Sequence, residues 1–226
     1  MNRFLWKTWQ KKTFRKYPAY KGGKESGYSR KLYLDLAEPI VRRATEWLTP
    51  SGSIIDPFEG AEPPTISARF IGAAGGLIGA GRCQDLITQT ILVFDYAVEQ
   101  LTTKNPDGHL LHGADFYIKE MAWAYHLLSD TGIIDPQVLE RWRTKLQNYI
   151  PENVYTDIIR PGKDAVHNFN IYALTGEYWR YRTGLGPYEQ TVRFVDEYIP
   201  RQFKHFTPWG MYRDPNNPIT YDITVR

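Results

Sequence analysis

Apolar residues recur every three or four positions along most of this chain, which is the spacing of amphipathic helices. The first series, over residues 32–48, consists of Leu32, Leu36, Ile40, Ala44 and Trp47. A segment rich in Gly and Ala, from about Ile66 to Ile78, predicts a second helix that packs closely against a neighbour. The segment 84–101 has a clean apolar face and predicts a third helix.

The second half of the chain continues the pattern. One helix is predicted from near Asp115 to a glycine cap at Gly132. In the next, Asp135 is expected to be the N-cap and Pro136 the first helical residue. Its apolar stripe consists of Val138, Trp142, Leu146 and Tyr149. Helices are also predicted over 164–184 and 186–203, and no segment alternates as a strand does, so the predicted class is all-α.

The succession of helices predicts antiparallel helical hairpins that form an incomplete or small (α/α) toroid. A repeat of fixed period, which a consensus solenoid requires, is not seen. Residues 1–30 are expected to be a basic, aromatic N-terminal arm, and residues 31–226 the helical domain. The arm has no apolar run of signal-peptide length, so a cytoplasmic location is the default expectation.

The composition of the chain argues against several classes of function. The net charge of +3 is too small and too dispersed for a dedicated nucleic-acid binder, and no apolar run is long enough to span a membrane. The single Cys83 excludes an intramolecular disulfide and a cysteine-based zinc site. Aromatic residues make up 15% of the chain, and such rings suit either a sugar-binding cleft or an aromatic core.

The first candidate cluster lies in the segment 164–184. His167 is expected at the start of a helix, where backbone N–H groups favour an anion. Asn168 and Tyr172, four residues apart, share one helix face, and Trp179 follows on the same segment. An amide and an imidazole together can hold a carboxylate. The alternative is a buried polar network that satisfies the helix ends.

The second candidate cluster closes the chain. Tyr221 is a candidate acid and base, with Arg226 as the guanidinium that favours its phenolate form. Tyr212 and Arg213 form a similar pair a few residues earlier. The alternative is a proline-stiffened loop held by Arg–Asp ion pairs.

A third cluster, His109, His112 and Asp115, is spaced at three-residue intervals. It lacks the spacing of paired metal ligands on a regular helix, so we expect no metal, and treat His112 and Asp115 as substrate-lining candidates or as capping and packing groups. The nucleophile elbow and the phosphate-binding loop are missing from the sequence, and no cofactor is expected.

The order of these clusters resembles that of the toroid domains of uronate polysaccharide lyases, the group of alginate lyases and heparinase-II/III-like enzymes. The resemblance covers roughly residues 107–226. It rests on the His-Asn pair in "VHNFNIY" and on the later tyrosine-bearing loop "PWGMYRDPNNPITY". It implies that His167 and Asn168 neutralise the uronate carboxylate, while Tyr221, or Tyr212 in its place, transfers the proton.

The resemblance further implies cleavage of an acidic polysaccharide by β-elimination, without metal or cofactor. A closed toroid of six hairpins needs more helices than the sequence predicts. A further C-terminal half, or a second copy of the chain, would then complete the ring.

Two other functions stay open at this point. One is a toroid glycoside hydrolase, which needs two carboxylates beside the bond; its candidates are Asp115, Asp157, Glu177 and Asp214. The other is a helical carbohydrate-binding or scaffold fragment without catalysis.

Overall fold

The structure is a computed structural model that describes the backbone of residues 27–61, 66–102, 114–148, 168–186, 212–213 and 220–221. In this part of the chain the main elements are α1 Arg30–Ala44, α2 Ile66–Gly79, α3 Ile87–Thr102, α4 Ala114–Ser129, α5 Pro136–Asn148, α6 Asn168–Arg182, β1 Tyr212–Arg213 and β2 Thr220–Tyr221. Short 3-10 helices, Thr45–Trp47 and Gln84–Leu86, extend α1 and precede α3. The predicted helical character is confirmed. The two strands are an addition to the prediction, since two residues are too few for a strand pattern to show.

The helices begin where side chains can accept their first backbone N–H groups. Ser29 Oγ accepts from the Leu32 amide at 3.2 Å, and Asp135 accepts from the Gln137 amide at 2.7 Å. The prediction of Asp135 as an N-cap and Pro136 as the first helical residue is therefore confirmed. Helix α4 ends at Ser129, and Gly132, three residues later, has a φ of +68°, which is typical of a glycine at a helix C-terminus. The predicted glycine stop is therefore confirmed to within one turn.

The described helices pack in two layers. Helix α4 lies between α2 and α6, and these three form one layer. Helices α3 and α5 contact each other on the other side, and each also contacts α4. Helix α1 packs against α2. The core between the layers is apolar, with Ile71, Phe94, Met121 and Leu146 all fully buried or nearly so.

The contact between α2 and α4 depends on glycine, as the composition of α2 predicts. A Cβ built on Gly75 would lie 3.1 Å from the Ala124 Cβ and 3.3 Å from its Cα. Glycine allows this approach without any displacement, whereas an alanine would require Ala124 to move by a few tenths of an ångström. The expectation that this helix packs closely against a neighbour is confirmed.

Helix α5 is held to α3 by a buried tryptophan and by ion pairs. Trp142 is fully buried, stacks on Phe94 with ring centroids 3.9 Å apart, and donates its indole N–H to Asp95 at 2.7 Å. Arg141 also pairs with Asp95. The predicted stripe is confirmed for Trp142 and Leu146, which are buried, and for Val138, which packs against the core.

Several predictions lie outside the described residues: the arm up to residue 26, Tyr149 and the helix over 186–203. Among the described helices none has the length and apolar character that a membrane span requires.

Candidate functional site

The α2–α4–α6 layer has a side that faces away from α3 and α5, here called the open face. Helix α4 contributes Lys119, Trp123 and His126 to it, at helical spacing, and Asp130 follows directly after the helix. The first three are partly exposed and Asp130 is exposed, whereas Met121 and Leu128 on the other side of α4 are fully buried. A polar and aromatic stripe therefore runs along the central helix.

Three rings meet on the open face. The Trp179 ring of α6 lies 6.5 Å from Trp123 and 5.6 Å from His126, centroid to centroid, with tilted planes. A Cβ built on Gly76 of α2 would lie 3.8 Å from the edge of the Trp123 ring, so this ring extends over α2 where it has no side chain. We call Trp123, His126 and Trp179 the aromatic platform. Its rings are only partly buried, which leaves surface for a ligand.

The register of α6 connects the platform with the first candidate cluster. Asn168, Tyr172, Thr175 and Trp179 follow one another at intervals of four, three and four residues, so they occupy one face of α6. Trp179 shows where this face lies, because its ring contacts Trp123 and His126. Helical spacing from Trp179 predicts that the positions of Asn168 and Tyr172 also lie on the α6 face that borders the open face.

The two polar side chains of the α4 stripe, Lys119 and His126, each have an acidic neighbour. His126 Nδ1 is 3.9 Å from Asp130 Oδ2, too far for a hydrogen bond, and the His126 side chain is 34% exposed. Lys119 pairs with Glu120 at 2.9 Å. The imidazole can donate to or accept from a sugar hydroxyl, and the ammonium group can approach an anionic group at the edge of the face.

Glu177 lies on the opposite side of α6 from the candidate stripe. It is fully buried and forms an ion pair with Arg180, whose Nη1 lies 3.1 Å from both carboxylate oxygens. Arg180 also donates to the backbone carbonyl of Leu185 at 3.2 Å. This buried pair fastens the end of α6, and removing one partner of such a pair costs about 3–5 kcal/mol. Glu177 is therefore unsuited to flank a glycosidic bond, contrary to its place among the hydrolase candidates.

The two short strands bring the predicted tyrosines together. Tyr212 pairs with Tyr221 and Arg213 with Thr220 in an antiparallel ladder. Residues directly opposite in such a ladder occupy the same face of the sheet. The backbones of Tyr212 and Tyr221, which are predicted as alternatives for one role, are therefore neighbours in the ladder.

The remaining predicted residues are described only in part. Asn168 and Tyr172 have their backbone in α6, and Asp115 is the second residue of α4. His112, His167 and Arg226 lie outside the described residues. The approach of Tyr221 to Asn168 stays a prediction.

Sequence reasoning missed Trp123 and His126. Helical spacing groups Lys119, Trp123 and His126 on one face of α4. The sequence does not show that α6 packs beside that face.

In the part of the chain that the structure describes, no three His, Cys, Asp or Glu side chains come together as metal ligands would. No protein-family model, no curated protein and no solved structure matches this chain.

Proposed function

We propose that this protein is carbohydrate-active and cleaves a uronic-acid-containing polysaccharide by β-elimination at the open face. The observation that carries the proposal is the shared face of α6. The positions of Asn168 and Tyr172 lie in line with Trp179, whose partly exposed ring forms the aromatic platform with Trp123 and His126.

The platform supplies what sugar binding needs. A pyranose ring presents C–H groups that pack on the face of an indole, while its hydroxyls need hydrogen-bond partners at the ring edge. Trp123 and Trp179 offer the apolar surface and His126 the partner. Apolar packing alone does not distinguish a uronate from a neutral sugar. We therefore propose that the polar groups at the start of α6 recognise the uronate carboxylate.

The proposed chemistry starts from the carboxylate. The C5–H bond of a uronate is a weak acid until the charge beside it is neutralised, and preorganised donors are well suited to do so. His167 and Asn168 are proposed for this role. Backbone N–H groups at the first turn of α6, which begins at Asn168, add to the attraction for an anion.

Proton transfer completes the reaction. The phenolate of Tyr221, favoured by Arg226, takes the C5 proton, and the electrons of that bond form the C4–C5 double bond as the C4–O bond breaks. The leaving glycosidic oxygen then takes the proton back from Tyr221, which restores the phenolate. No water enters the reaction, and the product carries a 4,5-unsaturated uronate. Tyr212, the cross-strand partner of Tyr221, is the proposed substitute base.

The two layers of helices are consistent with a partial (α/α) toroid. In a toroid one set of helices lines the central cleft and the other lies outside it. The α2–α4–α6 layer, with its aromatic open face, takes the inner position in this proposal, and α3 and α5 take the outer one.

A second candidate, a carbohydrate-binding protein without catalysis, is favoured by the same aromatic platform, because stacking needs no proton transfer. The hydrolase alternative is less favoured, since Glu177 is buried against Arg180.

A panel of polyuronates separates these functions. The protein is incubated with alginate, polygalacturonate, heparan sulfate and hyaluronate, while ultraviolet absorbance and reducing ends are followed in parallel. A lyase raises both signals together. New reducing ends without absorbance would establish hydrolysis instead, and retention on one polymer with neither signal would establish a binding module.

A further inference from the structure

The two parts of the proposed site lie at opposite ends of α6. Asn168 is the first residue of this helix, and Trp179 is in its last turn. Because an α-helix rises about 1.5 Å per residue, the two positions are about 16 Å apart along the helix axis. Tyr172 and Thr175 occupy the same face between them, about 6 Å and about 10 Å from Asn168. This face is therefore elongated.

One sugar unit is too small to use both ends of this face. A donor that neutralises a uronate carboxylate has to lie within hydrogen-bond distance of it, about 3 Å. A pyranose ring held in this way beside Asn168 is much shorter than the separation of Asn168 from Trp179, so it does not reach the platform. Contact with both ends requires a chain of several sugar units.

We infer that the aromatic platform is a distal subsite, which holds a sugar unit several units along the chain from the one whose C5–H bond is broken. The protein then acts on long oligomers and on internal bonds of a polymer, and acts poorly on disaccharides. This role deepens the proposed function and rests on it, because the reacting unit is placed through Asn168.

The platform has what a separate subsite needs. Trp123, His126 and Trp179 are all partly exposed, and the Trp179 ring lies 6.5 Å and 5.6 Å from the other two, centroid to centroid. The indoles offer apolar surface for the C–H groups of one sugar unit, and the imidazole offers a hydrogen-bond partner for its hydroxyls. None of these contacts requires a residue at the start of α6.

The packing of α2 against α4 positions the platform. Gly72 lies against Glu120 and Gly79 lies against Leu127, so the contact advances in the same direction along both helices. The two helices therefore run parallel. Trp123, the platform residue that approaches α2, lies in the second half of α4. Contacts between these two helices thus set its position, and the first turn of α6 does not.

A chain that reaches both ends of the α6 face gains binding free energy at each end. Once one end is bound, the second contact is intramolecular and forms at a high effective concentration. Contacts remote from the reacting unit can also raise kcat, because they help to orient that unit. Short oligomers occupy one end at a time and lose both advantages.

Equilibrium binding of oligomers of increasing length tests the inference. Oligomers from dimer to octamer are prepared from alginate, polygalacturonate, heparan sulfate and hyaluronate. They are titrated by calorimetry into Tyr221→Phe, which is expected to leave them intact, and into the same protein with Trp179→Leu or Asn168→Ala added. In Tyr221→Phe we expect the affinity to rise about tenfold from dimer to octamer, and each added substitution to abolish that rise.

Tyr181→Leu, on the other side of α6, is the matched control and should keep the rise. Circular dichroism verifies that each variant keeps its helices, and Trp123→Leu replaces Trp179→Leu if that variant does not. A rise that survives in Asn168→Ala would overturn the inference, because the platform alone would then hold the longer chain. A rise that survives in Trp179→Leu, or an affinity that is independent of length, would also overturn it.

Catalysis is measured separately, from the ultraviolet absorbance of unsaturated product formed by wild type. If no oligomer yields this product but both substitutions abolish the rise in affinity, β-elimination is rejected and the platform stands as the distal part of an extended binding face. If no oligomer binds, both the subsite and the proposed function are rejected.

Discussion

At the scale of single residues, Gly52 shows how closely a turn can approach a helix. Its φ is +95°, and a Cβ there would lie 2.5 Å from the Leu92 carbonyl oxygen and 2.9 Å from the Tyr96 Cβ. Gly52→Ala must both adopt a left-handed backbone and push the turn away from α3. We expect a loss of about 3 kcal/mol in the free energy of unfolding, measured by urea denaturation.

Gly60 provides the matched control. Its φ is +65°, but nothing lies within 4 Å of a Cβ built there. Gly60→Ala should cost only the left-handed conformation, about 1 kcal/mol. Equal losses at the two sites would mean that the contact between the turn and α3 contributes nothing.

Trp179 is the residue on which sugar binding should depend most visibly. Trp179→Leu removes the indole face from the platform, and we expect oligouronate affinity to fall about tenfold, as measured by titration calorimetry. Tyr181→Leu is the control, because helical spacing places Tyr181 on the other side of α6. Unchanged affinity in Trp179→Leu would remove the platform from the site.

The sequence predicted some of these residues and missed others for identifiable reasons. Asn168, Tyr172 and Trp179 could be grouped because helical spacing is a local property. The same spacing puts Glu177 opposite Asn168, so its placement away from the open face was also predictable. Trp123 and His126 could be recognised as site candidates only once α6 was known to pack beside α4.

At the scale of elements, the contact between α2 and α4 gives a test that compares neighbouring glycines. An alanine at Gly75 would press on the Ala124 backbone, whereas an alanine at Gly76 would lie 3.8 Å from the edge of Trp123, an ordinary contact. Gly76→Ala should stabilise the protein by about 0.5–1 kcal/mol through helix propensity. Gly75→Ala should be about 1–3 kcal/mol less stable than Gly76→Ala, by thermal or urea unfolding. Equal stabilities would show that the helices have room to separate.

Helix positions were largely predictable because each depends on a period and on caps within one segment. Ser29 and Asp135 fix two helix starts through their own side chains, and neither requires knowledge of the fold. The end of α4 could be predicted from Gly132, whose φ of +68° marks the stop one turn after the last helical residue, Ser129. The pairing of β1 with β2 joins residues across an intervening loop, which no local pattern encodes.

At the scale of the whole molecule, an ion-pair network ties α1 to the turn before α3. Arg82 contacts Asp35 at 2.7 Å and Glu38 at 2.8 Å, and Arg42 contacts Asp85 at 2.7 Å. Hydrogen bonds from Lys31 and Arg82 hold the pKa of Asp35 below its usual 3.8. A hydrogen bond from Arg42 holds the pKa of Glu38 below its usual 4.5.

A carboxyl group whose pKa is lowered by folding stabilises the fold above its unfolded pKa, and that contribution is lost as pH falls through the folded pKa. Arg82→Gln should therefore be less stable than wild type at neutral pH. The difference in urea midpoint should shrink below about pH 4, where both carboxylates become protonated. Arg69→Gln, at an exposed residue of α2, controls for the loss of one charge. A difference that stays constant down to about pH 2 would contradict this role of the network.

The sequence predicts the type of helix arrangement but not the order in which the helices pack. Amphipathic helices with short connections predict antiparallel hairpins, but the sequence does not state that α4 lies between α2 and α6. That order depends on which apolar helix faces are complementary in shape. It also depends on glycines such as Gly75, which allows α2 to lie close to α4. The toroid remains a proposal, since ring closure involves more of the chain than these six helices.

We propose that the face shared by Asn168 and Trp179 supports β-elimination with Tyr221. It is tested most directly by the rate at which ultraviolet absorbance of the unsaturated product appears, in wild type, Asn168→Ala and Tyr221→Phe. We expect wild type to cleave one of the polyuronates, and each variant to lose about 100-fold to 1,000-fold in rate while its helical circular dichroism stays unchanged. Wild-type rates in both variants, or no unsaturated product from any polyuronate, would contradict it.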